Sequence, residues 1–222
     1  MKHTLILLSI LLSLLIPSLT ASQPLNPVIK RPFLSSVSVT DSSGNIIGSG
    51  VIIDRKCKLQ VLTAAHVIEY MQKKKKNIYV LSPIRFGLVP MKVIKIDSNI
   101  DLALLSGIKK TKTTKNIAVR LAVSMPLLGD TVWMISSPSG HHNIITKGIL
   151  SHLLIHKRKG KTKKILLFGT TATGFFASSG GGLFNKNGDL IGIFHMIIST
   201  RFGVLPGGYY SVSLPHIVNF LK

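Results

Sequence analysis

The serine and glycine segment at residues 177–183, ASSGGGL, is the part of the chain best suited to nucleophilic chemistry. Its glycines permit the positive φ angles of a tight turn and let main-chain N–H groups converge on one point. Such a turn can lift a serine hydroxyl clear of the backbone and hold an oxyanion beside it. Ordinary loops have the same composition, so the segment needs partners before it predicts catalysis.

Two residues upstream carry side chains that could activate such a serine. His66 follows the strand-like run at residues 62–65, and imidazole is the most frequent general base of enzymes. Asp101 stands directly before an apolar run in a chain with only 7 acidic residues, and a carboxylate entering an apolar strand needs a partner. Taken singly, His66 is also consistent with a histidine of the core or the surface, and Asp101 is also consistent with a residue that caps a strand.

The order of these residues, His66 then Asp101 then Ser179, resembles that of the chymotrypsin- and trypsin-like serine proteases. It differs from the order Ser, Asp, His of the α/β-hydrolases. The chain is most similar to the disulfide-free, Deg/HtrA-like bacterial branch of the family. Further segments carry this resemblance, which runs from about Ser35 to the C-terminus: 48–54, 128–140, 146–151 and 185–193.

The resemblance implies a role for each residue of the triad. His66 would take the proton of Ser179 as general base, and Asp101 would fix the tautomer of the imidazole. The main-chain N–H groups of Ala177 and Ser179 would form the oxyanion hole. The family usually has glycine at the position of Ala177, and we expect a Cβ there to disfavour the peptide orientation that the hole needs.

The same resemblance assigns the primary substrate pocket to Thr173, Phe194, His195 and Ile197. Thr173 stands where trypsin-like specificity for Lys or Arg requires an acid, and Phe194 stands where glutamate-specific relatives have histidine. His195 comes one residue later, and an offset of one residue on a strand reverses the face, so we expect its side chain to point toward Asp101. The pocket is therefore predicted to take small or medium apolar side chains.

Short apolar runs separated by Gly, Pro, Asn and Asp predict an all-β chain. The resemblance implies two Greek-key, six-stranded β-barrels of the trypsin-like fold, with the site in the cleft between them and a short C-terminal helix. We expect one barrel in residues 23–122 and the other in residues 123–222, together forming one peptidase domain, with a linker at 118–128. The predicted strands are at 34–40, 46–54, 58–63, 77–82, 88–96, 102–106, 117–121, 131–136, 143–153, 163–169, 182–185, 189–197 and 208–212, and the predicted helices at 67–71 and 216–221.

The first 22 residues are interpreted as a signal peptide, which predicts a secreted or periplasmic protein. A short basic start, an apolar run too short for a comfortable span, and small residues near Ala21 support this interpretation; an uncleaved anchor is the alternative. The single Cys57 rules out an intramolecular disulfide and is expected to be incidental. The chain ends at Lys222 without the PDZ modules that often follow such domains, so we expect no control by them.

The net charge of +21 predicts attraction to anionic surfaces such as lipid, cell-wall polymer or nucleic acid. The basic residues cluster at 73–76, 109–115 and 157–164, where turns between strands are expected. Specific nucleic-acid recognition is not predicted, because aromatic residues do not alternate with the lysines. The primary hypothesis is a serine endopeptidase acting on protein or peptide substrates, with no cofactor. The alternative is a weakly active or inactive protease-fold module that binds an anionic partner.

The adjacent histidines 141 and 142 are not predicted to hold a metal. No carboxylate or cysteine lies near them in the sequence, and neighbouring side chains of a strand point to opposite faces. The sequence leaves the oligomeric state and the natural substrate open.

Overall fold

The structure is a computed structural model that describes residues 24–55, 58–83, 87–107 and 117–222, with backbone alone for residues 54, 55 and 58. Within these ranges the chain forms twelve β-strands and three α-helices. The predicted signal peptide, Cys57 and the basic cluster at 109–115 lie outside the described residues. No helix in the described ranges has both the length and the apolar character needed to cross a membrane.

The first six strands form a closed antiparallel barrel in the order β1-β2-β3-β6-β5-β4. The pairing of β3 with β6 instead of β4 is the crossover of a Greek key. Helix α2 (Ala65–Lys73) lies between β3 and β4. The strands are β1 (Ser36–Thr40), β2 (Ile46–Arg55), β3 (Lys58–Ala64), β4 (Tyr79–Leu81), β5 (Leu88–Asp97) and β6 (Leu102–Gly107).

The last six strands form a second closed barrel in the order β10-β11-β12-β9-β8-β7. A 3-10 turn (Pro138–Gly140) follows β7, and helix α3 (Leu214–Leu221) follows β12. The strands are β7 (Thr131–Ser136), β8 (Ile144–Lys157), β9 (Lys164–Thr170), β10 (Gly182–Asn185), β11 (Leu190–Thr200) and β12 (Gly203–Ser213). The predicted fold class, two six-stranded barrels with a short terminal helix, is therefore confirmed.

One hydrophobic cluster joins the two barrels. It contains Val51, Leu62 and Leu102 of the first barrel together with Ile135 and Phe184 of the second, all fully buried. Each such side chain contributes about 1.5–3 kcal/mol when it is removed from water. The barrels consequently pack on a shared core, and β3 of the first barrel contacts β11 of the second.

The predicted strand at 117–121 is wrong. In its place, Val119 and Leu121 form isolated parallel bridges to Ile53 and Leu190, one on each barrel. The segment has strand-like residues because it is buried between two barrels, while its hydrogen bonds are divided between them. The segment therefore passes from the first barrel to the second, at the start of the linker predicted at 118–128.

Two further elements differ from prediction. Strand β12 begins at Gly203, earlier than the predicted residue 208, because β11 and β12 continue as a long hairpin. Helix α1 (Pro27–Ser35) was not predicted: Asn26 caps it through a hydrogen bond from Val28 N to Oδ1 at 3.0 Å, and Pro27 occupies its first turn. Burial of Ile29 against the shared core fixes this helix despite the internal Pro32.

Candidate active site

The segment before Ser179 forms a tight turn, and its geometry shows which backbone conformation Ala177 adopts where the family usually has glycine. Ser178 N donates to Phe175 O at 3.0 Å, and Ala177, the third residue of this turn, has φ of 67°. A positive φ at that position alone is the signature of a type II turn, which normally has glycine there. Ala177 thus adopts the left-handed conformation in spite of its Cβ, and Ser49 Oγ anchors it by donating to Ala177 O at 2.8 Å.

Two main-chain N–H groups, those of Ala177 and Ser179, have no acceptor within the part of the chain that the structure describes. Ser139 N donates to Phe176 O at 2.8 Å, so the peptide joining Phe176 to Ala177 turns its N–H away from that contact. Both Ala177 and Ser179 line the same cavity. Unpaired N–H groups of residues that line a cavity can bind an oxyanion where they point to one place.

The structure distinguishes the two serines of the segment. Ser178 is fully buried, and its Oγ accepts hydrogen bonds from Phe175 N at 2.9 Å and from Ser136 Oγ at 3.0 Å. Ser179 is partly exposed and lines the cavity. The hydroxyl of Ser178 therefore supports the turn, and the hydroxyl of Ser179 is the one that a substrate can reach.

Gly180 brings the serine segment against the first barrel. An added Cβ at Gly180 would lie 2.1 Å from Ser49 O and 2.2 Å from Thr63 Oγ1, distances at which atoms cannot coexist. Ser49 N also donates to Ser179 O at 2.8 Å. This close approach, which only glycine allows, places Ser179 near Thr63 of β3, three residues before His66.

His66 and Asp101 form a pair on the first barrel. His66 Nδ1 lies 2.8 Å from Asp101 Oδ2, and His66 N donates to Asp101 Oδ1 at 2.9 Å at the start of α2. Asp101 is fully buried in the turn between β5 and β6, where its own φ is 60°. Burial opposes ionisation of Asp101, but hydrogen bonds from His195 and His66 hold the pKa of its carboxyl well below the usual range.

The ionised carboxylate determines which nitrogen of His66 carries the proton. Carboxylate oxygens only accept hydrogen bonds, so Nδ1 of His66 must donate and Nε2 keeps its lone pair. Across the described residues, no hydrogen bond joins Ser179 Oγ to His66 Nε2. Such contacts often tighten only when substrate binds.

A cavity of about 440 Å³ adjoins Ser179 and has an apolar wall without a charged side chain among its lining residues. Of the four residues assigned to the substrate pocket, Phe194 and Ile197 line this cavity, whereas Thr173 and His195 do not. Thr173 is exposed, and its carbonyl accepts from Thr146 Oγ1 at 2.8 Å. The lining residues are Phe175, Phe176, Ala177, Ser179, Phe194, Met196, Ile197, Ser199 and Val204.

The assignment of His195 to the pocket wall is corrected by a β-bulge. The register between β11 and β12 shifts between Phe194 and Met196, so His195 is the extra residue of the bulge. Its side chain is buried and its Nδ1 lies 2.6 Å from Asp101 Oδ2. The orientation of His195 toward Asp101 agrees with the expectation that an offset of one residue on a strand reverses the face. After the bulge, Met196 and Ile197 both line the cavity.

Comparisons with known proteins agree with this architecture. The model of the trypsin-like peptidase domain matches residues 48–193. The periplasmic pH-dependent serine endoprotease DegQ of Escherichia coli K12 is 35% identical over 166 residues, covering 73% of this chain and 34% of the relative. The periplasmic serine endoprotease DegP of Salmonella typhimurium is 34% identical over 167 residues, covering 73% and 32%. The chain thus spans about a third of the length of these relatives.

The chain belongs to the trypsin-like peptidase family. Its resemblance to the Deg/HtrA branch is carried by these relatives. Among solved structures, the protease domain of MamO from Magnetospirillum magneticum matches with a TM-score of 0.71 and 22% identity, covering 87% of this chain and 98% of that one. At this identity the likeness concerns the fold, and it covers both barrels.

Arg158 is a part of this candidate site that the sequence did not reveal. Its guanidinium NH1 lies 3.1 Å from Asp101 Oδ1 and donates to Ser98 O at 2.7 Å, and its side chain is only 18% exposed. In the sequence Arg158 belongs to the basic cluster at 157–164, and such a run of charges usually indicates a solvated surface. One feature of the sequence sets Arg158 apart from its neighbours, which is that it is the sole arginine in a run of lysines.

His66, Asp101 and His195 are the one group of potential metal ligands in the described part of the chain. Both imidazole Nδ1 atoms are already within hydrogen-bond distance of Asp101 Oδ2, and the Arg158 guanidinium lies beside Oδ1. Protons and a fixed positive charge thus neutralise the carboxylate. The donor set suits hydrogen bonding to imidazole better than coordination of a cation.

Proposed function

We propose that this protein is a serine endopeptidase that hydrolyses peptide bonds through His66, Asp101 and Ser179. The observation that carries the proposal is the pairing of His66 Nδ1 with the buried, ionised Asp101, beside a cavity that exposes Ser179. Membership of the trypsin-like peptidase family and the names of the Deg relatives support it.

In the proposed reaction, His66 Nε2 takes the proton of Ser179 Oγ as the oxygen attacks the carbonyl carbon of the substrate. The negative charge that develops on the carbonyl oxygen is bound by the N–H groups of Ala177 and Ser179. His66 then gives its proton to the leaving amine, and the C–N bond breaks to leave an ester on Ser179. Water attacks this ester with His66 again as base, which releases the carboxylic product and restores Ser179.

Asp101 stabilises the imidazolium that forms on His66 in each half of the reaction. Its buried position makes this interaction stronger than it would be in water. It also keeps Nδ1 protonated, so the basic nitrogen is the one that faces Ser179. Asp101 keeps its charge throughout, in line with its depressed pKa.

The cavity supports a preference for cleavage after apolar residues. Phe194, Met196 and Ile197 form its wall, and a substrate lysine or glutamate would bury a charge without a partner there. We expect small or medium apolar side chains to be accepted. A cleavage profile over a peptide library measures this preference, and frequent cleavage after basic or acidic residues would contradict it.

The decisive experiment is covalent labelling with a fluorophosphonate probe, which reacts with an activated serine. The wild-type protein is expected to be labelled at Ser179, and S179A to be unlabelled. S178A serves as the matched control, because it removes a hydroxyl that supports the turn and leaves the nucleophile in place. Equal, weak labelling of the wild type and S179A would refute the proposed mechanism.

We also propose that the protein is exported, since its Deg relatives are named as periplasmic and residues 1–22 have the composition of a signal peptide. Cleavage near Ala21 would remove that segment. The intact mass of the protein recovered from the exported fraction tests this. The mass of the full 222-residue chain would argue for an uncleaved anchor.

The hairpin between β8 and β9 is proposed to attract an anionic surface. Lys157, Lys159 and Lys164 are exposed there, whereas Arg158 turns inward to Asp101. Binding to vesicles that contain anionic lipid should be lost at high salt and when these three lysines are neutralised. It should survive in S179A, which separates this surface from catalysis; binding unaffected by salt would count against it.

A further inference from the structure

Asp101 holds two imidazoles where the proposed reaction needs one. His195 Nδ1 lies 2.6 Å from Asp101 Oδ2, and the same oxygen is 2.8 Å from His66 Nδ1. Because the ionised oxygen only accepts, both Nδ1 atoms carry protons that point at it. One carboxylate oxygen therefore receives two charge-assisted hydrogen bonds.

The other oxygen of Asp101 is held equally firmly. Oδ1 accepts from His66 N at 2.9 Å and lies 3.1 Å from Arg158 NH1. Three hydrogen-bond donors from α2 and β11 and the guanidinium from the hairpin after β8 surround the carboxylate, so it is fixed by both barrels. Rotation of the carboxylate would break contacts on each side.

Nothing else among the described residues explains the presence of a histidine at position 195. Its Nε2 is buried without a hydrogen-bond partner, and its single hydrogen bond is the one to Asp101. A buried polar atom without a partner destabilises the fold, and such atoms call for a functional reason. The contact of Nδ1 with Asp101 is the reason that the geometry offers.

The charged and titratable groups around His195 come from three elements. Asp101 lies in the turn after β5, while Arg158 and His156 approach from β8 and its hairpin, with the rings of His156 and His195 6.1 Å apart. His66, on α2, has its ring 6.3 Å from that of His195. Burial, followed by the charges of His195 and Arg158, lowers the pKa of His156, which favours a neutral ring there.

We propose that His195 is a positioning residue of the peptidase, which holds the Asp101 carboxylate in the orientation that His66 requires. This inference rests on the proposed function of the triad. His195 does not line the substrate cavity, so it acts on the chemical step through Asp101 and not on substrate binding.

Two variants at this position test the inference. H195L removes the donor but keeps comparable bulk, and H195N places an amide N–H close to where Nδ1 stands. With an apolar peptide substrate, we expect H195L to lower kcat about tenfold or more, because a hydrogen bond to a charged group is lost, while KM stays within about twofold. H195N is expected to retain most of the wild-type kcat.

Proton NMR supplies a readout that does not depend on activity. The wild type should show two downfield imidazole N–H signals, one each from His66 and His195, and H195N should show one. Thermal unfolding checks that each variant is folded, and H195N keeps the test valid if H195L does not fold. A wild-type kcat in H195L, an effect confined to KM, or equal loss of kcat in H195N and H195L would overturn the inference.

Failure of the inference is distinguishable from failure of the proposed function. If Ser179 of the wild type does not react with the fluorophosphonate, the triad proposal fails, and the NMR signals still decide whether His195 and His66 share the carboxylate. If Ser179 reacts and the variants behave as described, both stand. If Ser179 reacts and H195L has the wild-type kcat, only the positioning role of His195 falls.

Discussion

At the scale of single residues, Ala177 is one of two site residues, with Asp101, that hold a left-handed backbone conformation. Its φ of 67° places it in the left-handed region, which costs an L-residue with a Cβ about 1–2 kcal/mol. The hydrogen bonds of Ser139 N to Phe176 O and of Ser49 Oγ to Ala177 O hold the turn in this conformation. The turn that carries the proposed oxyanion hole is thus held by contacts from both barrels against a local preference for another turn.

Replacement of Ala177 by glycine should relieve that strain. Glycine takes positive φ freely, but it also gives the unfolded chain about 0.4–1 kcal/mol more entropy, so the net gain for A177G is expected to be about 0.5–1 kcal/mol. Urea unfolding measures it, and kcat should be equal to or above that of the wild type. The control is A122G, at an alanine outside the positive-φ set, which should lose stability. A less stable A177G would show that the turn is not strained.

The residue scale is also where the sequence was most and least informative. The sequence singled out His66 and Asp101, which the structure pairs, while the role of these two residues with Ser179 as a triad stays a prediction. The role of His195 was half visible, because alternation predicted its face but could not reveal the bulge that keeps Ile197 on the cavity. The role of Arg158 could not be predicted from the sequence. The tertiary fold alone determines that this arginine points inward while the neighbouring lysines are solvated.

At the scale of elements, the hairpin between β1 and β2 is tied to the end of α2 through Asp41. Its Oδ1 accepts from Ser43 N at 3.0 Å and from Asn45 N at 3.1 Å, and its Oδ2 accepts from Lys76 Nζ at 2.8 Å. The loop sequence, DSSGN at 41–45, consists of residues that favour turns. The sequence could not predict Lys76 as a partner, because the basic cluster at 73–76 reads as solvated surface. The link fixes the far end of the helix that begins at His66.

This link makes a pH-dependent contribution to stability. The hydrogen bond from Lys76, followed by that from the Asn45 side chain, lowers the pKa of Asp41 to about 2. An unfolded aspartate has a pKa near 3.9, so the contribution is present above about pH 4 and is lost as the pH falls toward 2. D41N should therefore be less stable than the wild type at pH 7, and the difference in free energy of unfolding should shrink between pH 4 and pH 2.

A double-mutant cycle with K76M isolates the pair. The coupling between positions 41 and 76 should be measurable at pH 7 by urea unfolding and should fall steeply between pH 4 and pH 2. A difference between D41N and the wild type that is the same at every pH would mean that Asp41 acts through the shape of the turn and not through its charge.

Other elements show why prediction by pattern stops at tertiary structure. Helix α1 contains Pro32 and a short amphipathic stretch, and it exists because Ile29 is buried against the shared core. Residues 117–121 have the composition of a strand, yet their hydrogen bonds are divided between two barrels. Both segments contain apolar residues that are buried in the fold, but the partners that satisfy their backbone are set by the whole fold.

At the scale of the whole molecule, the two barrels depend on one another. The proposed base and its carboxylate lie on the first barrel, the nucleophile lies on the second, and Asp101 receives hydrogen bonds from both. The shared hydrophobic cluster runs through the same region, from Leu62 and Leu102 to Phe184 and Ile193. Loss of either barrel would expose that cluster and separate the triad.

The molecule is therefore expected to unfold as one cooperative unit. Trp133, the single tryptophan, lies on β7 and reports on the second barrel by fluorescence, while far-UV circular dichroism reports on the strands of both. F184A should move both transitions together to lower urea. It should lower the free energy of unfolding by about 3–5 kcal/mol, because it leaves a cavity in the shared core.

Labelling of Ser179 should disappear over the same range of urea. L205A, at an exposed site, is the control with little expected effect. Separate transitions for the two probes would show that the barrels are independent, and the shared core would then not be what holds the triad together.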